Sequence, residues 1–160
     1  TGRPINSDKN VFWSHYTDAE KTPQFSFGFG LSYTTFDYKN LKLTKTAYAK
    51  GEPVQISIEV TNSGNYDGKE VVQLYIRDLV GSIARPVKEL KGFQKIELAA
   101  GESKTVSFSI TTNELKFYNN DLKYDWESGD FDIMIGSSSA DVKKASVNWI
   151  KYIPLARWFI

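Results

Sequence analysis

The sequence has no cysteine and only one histidine, His15, among its 160 residues. Without cysteine it can form no disulfide, no thiolate zinc site, no iron–sulfur cluster and no cysteine nucleophile. One histidine is too few for a typical zinc site, where several His or Cys ligands converge. No G-x-S-x-G nucleophile elbow is present to recruit His15 into a serine-based triad, so a surface loop position is favoured for it.

The sequence also lacks an excess of either charge, because 20 Lys and Arg residues face 19 Asp and Glu residues, for a net charge of +1. Nucleic-acid binding calls for a basic surplus that neutralises phosphates, and anionic lipid attracts polybasic segments. No apolar run reaches the roughly 18 residues that would span a bilayer. We therefore predict no nucleic-acid partner and no membrane partner. Residues 1–4 (TGRP) show neither Met nor a signal-like pattern, so we expect a piece of a longer protein.

Aromatic side chains are abundant, at 14% of the sequence, and these residue types favour pleated strands. Apolar and polar residues alternate in short segments that end in Gly, Asn or Asp turns. The alternating apolar positions are Val54, Ile56, Ile58 and Val60; Val72, Leu74 and Ile76; Val106, Phe108 and Ile110; Phe131, Ile133 and Ile135; and Val147 and Trp149. The pattern predicts an all-β immunoglobulin-like or fibronectin type III-like β-sandwich of about seven antiparallel strands, and the lack of cysteine favours the fibronectin type.

Three local signals refine this prediction. Residues 87–98 carry Lys at intervals, as an edge strand does to discourage pairing with another chain. Thr111 and Glu114 have the spacing of a capping box, which predicts a helical turn. Residues 119–121 (NND) predict a turn between two short aromatic segments.

The two ends of the sequence differ from its middle. Residues 1–36 are interpreted as an extended connector, in which residues 25–33 alternate aromatic with small side chains and are expected to form an extended strand. Residues 37–151 are interpreted as the sandwich domain. Residues 152–160 are apolar without alternation, and they either cover a sandwich edge or are an engineered extension.

One pair of carboxylates has a spacing that can carry chemistry. Asp130 and Asp132 lie two residues apart on a predicted strand, so their side chains share a face, as the carboxyl pair of a retaining glycoside hydrolase requires. Nothing in the sequence builds a pocket around them. Two solvated carboxylates are therefore favoured.

The other candidate sites are weaker still. Residues 62–67 and 119–121 offer oxygen ligands for calcium but lack the EF-hand spacing, so ordinary turns are favoured. Gly28 and Gly30 form a G-x-G without a third glycine or a following helix. Five aromatic residues are candidates for stacking on sugar rings, although core or interface packing is favoured: Trp13, Tyr16, Trp126, Trp149 and Trp158. We expect no catalytic, cofactor-binding or metal-binding residue in this chain.

Five strings of the sequence nevertheless resemble one family in order and spacing. They are residues 27–36 (FGFGLSYTTF), 67–78 (DGKEVVQLYIRD), 85–95 (RPVKELKGFQK), 101–106 (GESKTV) and 136–141 (GSSSAD). Each is similar to a motif in or leading into the last domain of glycoside hydrolase family 3 β-glucosidases. The resemblance covers roughly residues 1–150.

The resemblance implies a fibronectin type III-like domain at the C-terminus of a secreted or periplasmic bacterial β-glucosidase. In that family the nucleophilic Asp and the acid/base Glu lie in preceding domains, and no residue here matches either motif. The implied partners are therefore the catalytic domains of a retaining parent enzyme, with β-glucoside substrate reached only through the whole protein. The implied role of this chain is structural, in domain docking.

The resemblance also suggests which residues make interdomain contacts. Phe25, Phe27, Phe29 and Tyr33 are expected to form an apolar strap covered by the missing domains, and Arg85 is expected either to pair with a carboxylate there or to be a solvated loop arginine. Two other functions stay open. One is a carbohydrate-binding sandwich that uses exposed Trp and Tyr, and the other is a free-standing adhesion or assembly domain.

Overall fold

The computed structural model describes residues 22–49 and 51–151, and within these ranges the regular structure consists of ten β-strands. Their bounds are β1 Phe36–Leu43, β2 Ala47–Ala49, β3 Val54–Asn62, β4 Gly68–Asp78, β5 Glu89–Leu98, β6 Ser103–Ile110, β7 Phe117–Tyr118, β8 Tyr124–Asp125, β9 Gly129–Gly136 and β10 Val142–Ile150. The predicted all-β class is confirmed.

Eight of these strands form two sheets that face each other. One sheet has the order β1-β3-β6, and the other has the order β2-β10-β9-β4-β5. The remaining strands, β7 and β8, pair as a hairpin. The predicted β-sandwich is confirmed, and its strand pairs are antiparallel except that β2 pairs with β10 in parallel.

The alternation pattern did not predict two of the strands, β1 and β2, and each omission has a local cause. The register of β1 against β3 shifts between Lys39 and Lys42, and Asn40 between them has a positive φ of 55°. This irregularity breaks the period of two on which strand prediction depends. β2 has only three residues, too few to show a period.

The core lies between the two sheets and is built from the predicted alternating positions. All of the alternating apolar positions are buried there, among them Val72, Leu74, Ile76, Val106, Phe108, Ile110, Phe131 and Ile133. Burying a side chain of this size contributes roughly 1.5–3 kcal/mol. The packing of the two inner faces therefore determines which way each strand faces.

The three local predictions are confirmed, one of them with a change. β5 is an edge strand that pairs only with β4 among the described strands. Residues 119–121 lie in the turn of the β7–β8 hairpin. The Thr111 backbone N–H donates to Glu114 Oε2 at 2.7 Å, as in a capping box. The turn that follows is closed by bonds to the third preceding residue, such as Leu115 N–H to the Thr112 carbonyl at 3.3 Å, so it is tighter than an α-helical turn.

Asn62 joins three parts of the chain at one buried amide. Its Nδ2 donates to the carbonyls of Tyr66, at 2.8 Å, and Leu98, at 3.1 Å. Its Oδ1 accepts from the Thr34 hydroxyl at 2.6 Å and the Gly64 N–H at 3.1 Å. A fully satisfied buried amide fixes its neighbours in one arrangement, because any shift leaves a polar group unpaired.

Asn62→Ala is therefore expected to lower the free energy of unfolding by about 3 kcal/mol, since one buried and three partly buried polar groups lose their partners. Urea denaturation followed by tryptophan fluorescence measures this loss. Asn65→Ala, in the same turn but exposed, is the matched control and should change stability little. Equal effects of the two substitutions would contradict the role given to Asn62.

Candidate docking surface

Residues 25–33, which we call the strap, cross the outer face of the five-stranded sheet without joining it. The strap contains a turn in which the Phe29 N–H donates to the Ser26 carbonyl at 3.0 Å, and Gly28 adopts a φ of +79°. The prediction of an extended strand for these residues is wrong, because a left-handed residue at Gly28 reverses the chain.

Buried polar groups of β4 hold the strap backbone in place. Gln73, only 5% exposed, donates from Nε2 to the Gly28 carbonyl at 3.0 Å and to the Ser137 carbonyl at 2.5 Å. The Tyr75 hydroxyl donates to Gln73 Oε1 at 2.5 Å. From the β9–β10 loop, the Ser139 N–H donates to the Phe27 carbonyl at 2.9 Å. The strap thus satisfies polar groups that would otherwise be buried without partners.

The strap backbone also lies unusually close to the sheet. A Cβ added at Gly28 would collide with the side-chain amide of Gln73 and lie 2.8 Å from the Tyr75 hydroxyl oxygen. Gly28 is therefore required both by its positive φ and by the close approach of the backbone to the sheet.

Although the strap backbone is fixed, its large side chains point to solvent. Tyr33 is 98% exposed, and Phe25 and Phe27 are each exposed by more than half. Phe29 is slightly less exposed and packs on Phe25, with ring centroids 5.0 Å apart. A contiguous apolar patch held on a rigid backbone marks an interaction surface. The structure thus packs Phe25 on Phe29, places Phe27 and Phe29 in one groove and leaves Tyr33 in solvent, while the role of all four as interdomain contacts stays a prediction.

A groove of about 610 Å³ lies between the strap and strands β4 and β5. Its apolar walls are Phe27, Phe29, Leu31, Val71, Leu90 and Phe93. The sequence alone did not reveal this groove, because its two walls are more than 35 residues apart along the chain.

The groove contains two carboxylates, Glu70 from β4 and Asp141 from the loop before β10. Glu70 Oε1 accepts a 2.7 Å hydrogen bond from the Tyr38 hydroxyl, and Asp141 Oδ2 accepts one of 3.0 Å from Ser137 Oγ. Burial raises the pKa of Glu70 above its ordinary value, and the nearby charge of Asp141 adds to this rise. Burial also raises the pKa of Tyr38.

Arg85 does not lie in this groove. Its side chain is only 9% exposed, Nη2 pairs with Glu89 Oε1 at 2.7 Å, and the guanidinium carbon lies 4.0 Å from the centroid of the Phe117 ring. The alternative of a solvated loop arginine is therefore wrong. Its pairing with a carboxylate of other domains stays a prediction.

The two strand carboxylates are held separately. Asp132 is 5% exposed and accepts hydrogen bonds from Lys144 Nζ at 3.1 Å and Ser146 Oγ at 2.8 Å, while Asp130 accepts one from Asn148 at 2.7 Å. The interpretation of both as solvated is thus wrong for Asp132. Cross-strand partners on β10 cover it, which a single strand's pattern does not show.

The other candidates have structural roles or lie outside the described residues. Trp126 and Trp149 are buried in the core, so neither is exposed to stack on a sugar. Asn119 Oδ1 accepts from the Asp121 and Lys123 N–H groups, as in an ordinary turn. Outside the described residues lie Trp13, His15, Tyr16, Trp158 and the segment 152–160.

Across residues 22–49 and 51–151, no three His, Cys, Asp or Glu side chains converge on a possible metal position. The same residues contain no helix long and apolar enough to cross a membrane.

Comparison with known proteins identifies the fold. Residues 70–139 match the fibronectin type III-like domain. This chain contains a fibronectin type III-like domain. The module is similar to the β-glucosidase of Listeria innocua, whose structure in complex with glucose matches it with a TM-score of 0.85 and 39% sequence identity over 96% of this chain.

Two curated relatives extend the comparison. The module is 48% identical over 147 residues to the periplasmic β-glucosidase of Salmonella typhimurium, covering 91% of this chain and 19% of that protein. It is 49% identical over 134 residues to a β-xylosidase of Formosa agariphila, covering 82% of this chain and 18% of that protein. The chain thus spans about a fifth of the length of these relatives.

Gly28→Ala should loosen the strap and lower the unfolding free energy of the module by about 1–3 kcal/mol, because the new Cβ meets Gln73 and strains a left-handed residue. The measurement is amide hydrogen exchange at Ser139, whose N–H bonds to the strap. Gly30→Ala is the matched control, since nothing lies within 4 Å of its added Cβ. Unchanged exchange in Gly28→Ala would contradict the anchoring role.

Glu70→Gln should change the pH dependence of stability in a defined direction. The pKa of Glu70 is higher in the folded state than in the unfolded state. Its contribution to the free energy of unfolding is therefore most favourable at a pH below the unfolded-state pKa, and it declines as the pH rises through the folded-state pKa. Gln keeps an acceptor for Tyr38 but carries no charge. The free energy of unfolding of Glu70→Gln should equal that of the parent module near pH 4. At pH 7 it should be higher than that of the parent by up to about 1 kcal/mol.

Urea denaturation at both pH values tests this, with Glu59→Gln as a control that removes a carboxylate from the other sheet. A stability gain that is the same at both pH values would show that burial of the charge is not the cause.

Proposed function

We propose that this module docks the catalytic domains of a family 3 glycosidase whose whole enzyme hydrolyses β-glucosides. The observation that carries the proposal is the strap, whose backbone is fixed while its aromatic side chains stay in solvent. Exposure of these apolar side chains to water is unfavourable, and their burial against another domain would stabilise the assembly.

The coverage of the relatives supports this role. The chain matches about a fifth of proteins named β-glucosidase or β-xylosidase, so about four-fifths of such a protein lies elsewhere. The two carboxylates on β9 are occupied by β10 side chains, which leaves them poorly suited to act as a glycosidase pair. Hydrolysis would therefore belong to the rest of the parent enzyme.

The proposed contacts are the strap residues Phe25, Phe27, Phe29 and Tyr33, together with Arg85. The four aromatic side chains supply contact area. Arg85 already uses Nη2 to pair with Glu89, so a contact with the catalytic domains would use its remaining N–H groups.

The compartment proposed for the parent enzyme is the periplasm or the outside of the cell. This follows the name of the Salmonella typhimurium relative, which is periplasmic. The absence of cysteine is compatible with either compartment. A glucoside is proposed as substrate because β-glucosidases are found among both the sequence relatives and the structural neighbours.

The experiment places this chain in the Salmonella typhimurium enzyme in exchange for the matching fifth of that protein. We expect the chimaera to hydrolyse an aryl β-glucoside and to unfold in one calorimetric transition, while the module alone gives no hydrolysis. The double variant Leu31→Ser, Tyr33→Ser should split or lower the transition by several degrees, because it removes exposed strap side chains that make no anchoring contact.

The matched control is Tyr118→Ser, Leu122→Ser, which removes the same two residue types from the exposed β7–β8 hairpin. Equal effects of the two double variants would contradict docking through the strap. Hydrolysis by the isolated module, abolished by Asp130→Asn with Asp132→Asn, would overturn the non-catalytic role.

A further inference from the structure

The groove beside the strap has walls that suit an apolar side chain. Phe29 and Leu31 form one side, while Val71, Leu90 and Phe93 of strands β4 and β5 form the other. Each of these five side chains is more than one-third exposed, so the walls remain in contact with solvent. An apolar group that entered the groove would bury area on both sides at once.

Neither carboxylate of the groove forms an ion pair with a described residue. Among the described residues no Lys or Arg nitrogen lies within 4.0 Å of a carboxylate oxygen of Glu70 or Asp141. Lys69 also lines the groove, but its Nζ lies 3.4 Å from Glu97 Oε2. Lys88 Nζ donates to the Ser139 carbonyl. The groove therefore combines apolar walls with two carboxylates that have no ion-pair partner within 4.0 Å among the described residues.

This combination specifies the chemistry of an occupant. A half-buried carboxylate loses hydration that a hydrogen-bonding cation can replace, and an Arg guanidinium or Lys ammonium supplies such donors. A purely apolar occupant would cover the half-buried Glu70 and the exposed Asp141 and remove their hydration without replacing it. A cation without apolar surface would leave the walls exposed.

The position of the groove points to where the occupant comes from. The strap forms one wall, and it is the segment through which the preceding polypeptide reaches β1. A partner tethered next to its site has a high effective concentration, so a modest groove is sufficient to hold it. The rest of a parent enzyme about five times the length of this chain is such a partner.

We infer that this groove receives a segment of the parent glycosidase, outside this chain, that presents an apolar or aromatic side chain together with a Lys or Arg. The inference rests on the docking role proposed above and names the chemistry of the surface that meets this face. Glu70 and Asp141 bind the cation, and Phe29 and Phe93 contact the apolar group.

The test on the full 160-residue chain uses two probes of similar size, 2-phenylethylguanidinium and the neutral 2-phenylethanol, titrated by backbone amide NMR. We expect shifts at groove residues such as Gly30, Ser32 and Val71, and binding of the cation about threefold to tenfold tighter than of the alcohol. The double variant Glu70→Gln, Asp141→Asn should remove the preference for the cation. Phe93→Ser should weaken the binding of both probes.

The amide spectrum itself reports whether each variant is folded, and Asp141→Asn alone provides a second, milder variant. The control Glu59→Gln should leave the preference unchanged. Equal binding of the two probes, shifts located away from the groove, or no binding of either probe would overturn the inference.

The chimaera described above separates this inference from the docking role. If Leu31→Ser with Tyr33→Ser disrupts its single transition but Glu70→Gln with Asp141→Asn does not, docking stands and the cationic occupant is wrong. If neither double variant has an effect, the docking role itself is wrong.

Discussion

The surface of this module depends on one buried amide, that of Gln73. It lies on the outer face of a sheet whose inner face forms the core, and its polar atoms need partners that the sheet ladder does not supply. The strap carbonyl of Gly28, the Ser137 carbonyl and the Tyr75 hydroxyl provide them. Because removing any one of these would leave a buried polar group unpaired, the strap has essentially one position on the sheet.

Fixing the strap backbone has a consequence for function. Carbonyl groups of the strap form hydrogen bonds with the sheet and with the β9–β10 loop, so its backbone faces the sheet and its aromatic side chains face outward. A surface with a rigid backbone loses little conformational entropy when it binds, which favours docking over a floppy linker of the same composition. Phe27 and Phe29 of the strap thus line the same groove as the carboxylates of Glu70 and Asp141. The Asn62 amide secures the end of the strap segment through Thr34.

Much of the fold could be predicted from local patterns, and the failures have physical causes. Period-two alternation identified β3, β4, β6 and β9, since one face of each is buried. It missed β1, where a bulge shifts the period, and it misread the strap, where aromatic–small alternation accompanies a turn at Gly28. The four strap aromatics were named as contacts from the resemblance to a family, whereas the groove and its carboxylates were not foreseen.

The sequence by itself determined the all-β class, the core positions and the family, because these depend on residue type and on spacing along a few residues. Only the tertiary structure decided which charged side chains already have partners within the module and which can bind another molecule. Asp132 is covered by β10, Arg85 is paired with Glu89, and Glu70 lies beside Asp141 across about 70 residues of sequence. Such partners come from distant strands, and the strength of a charge depends on its neighbours and its burial, so neither can be read from one segment alone.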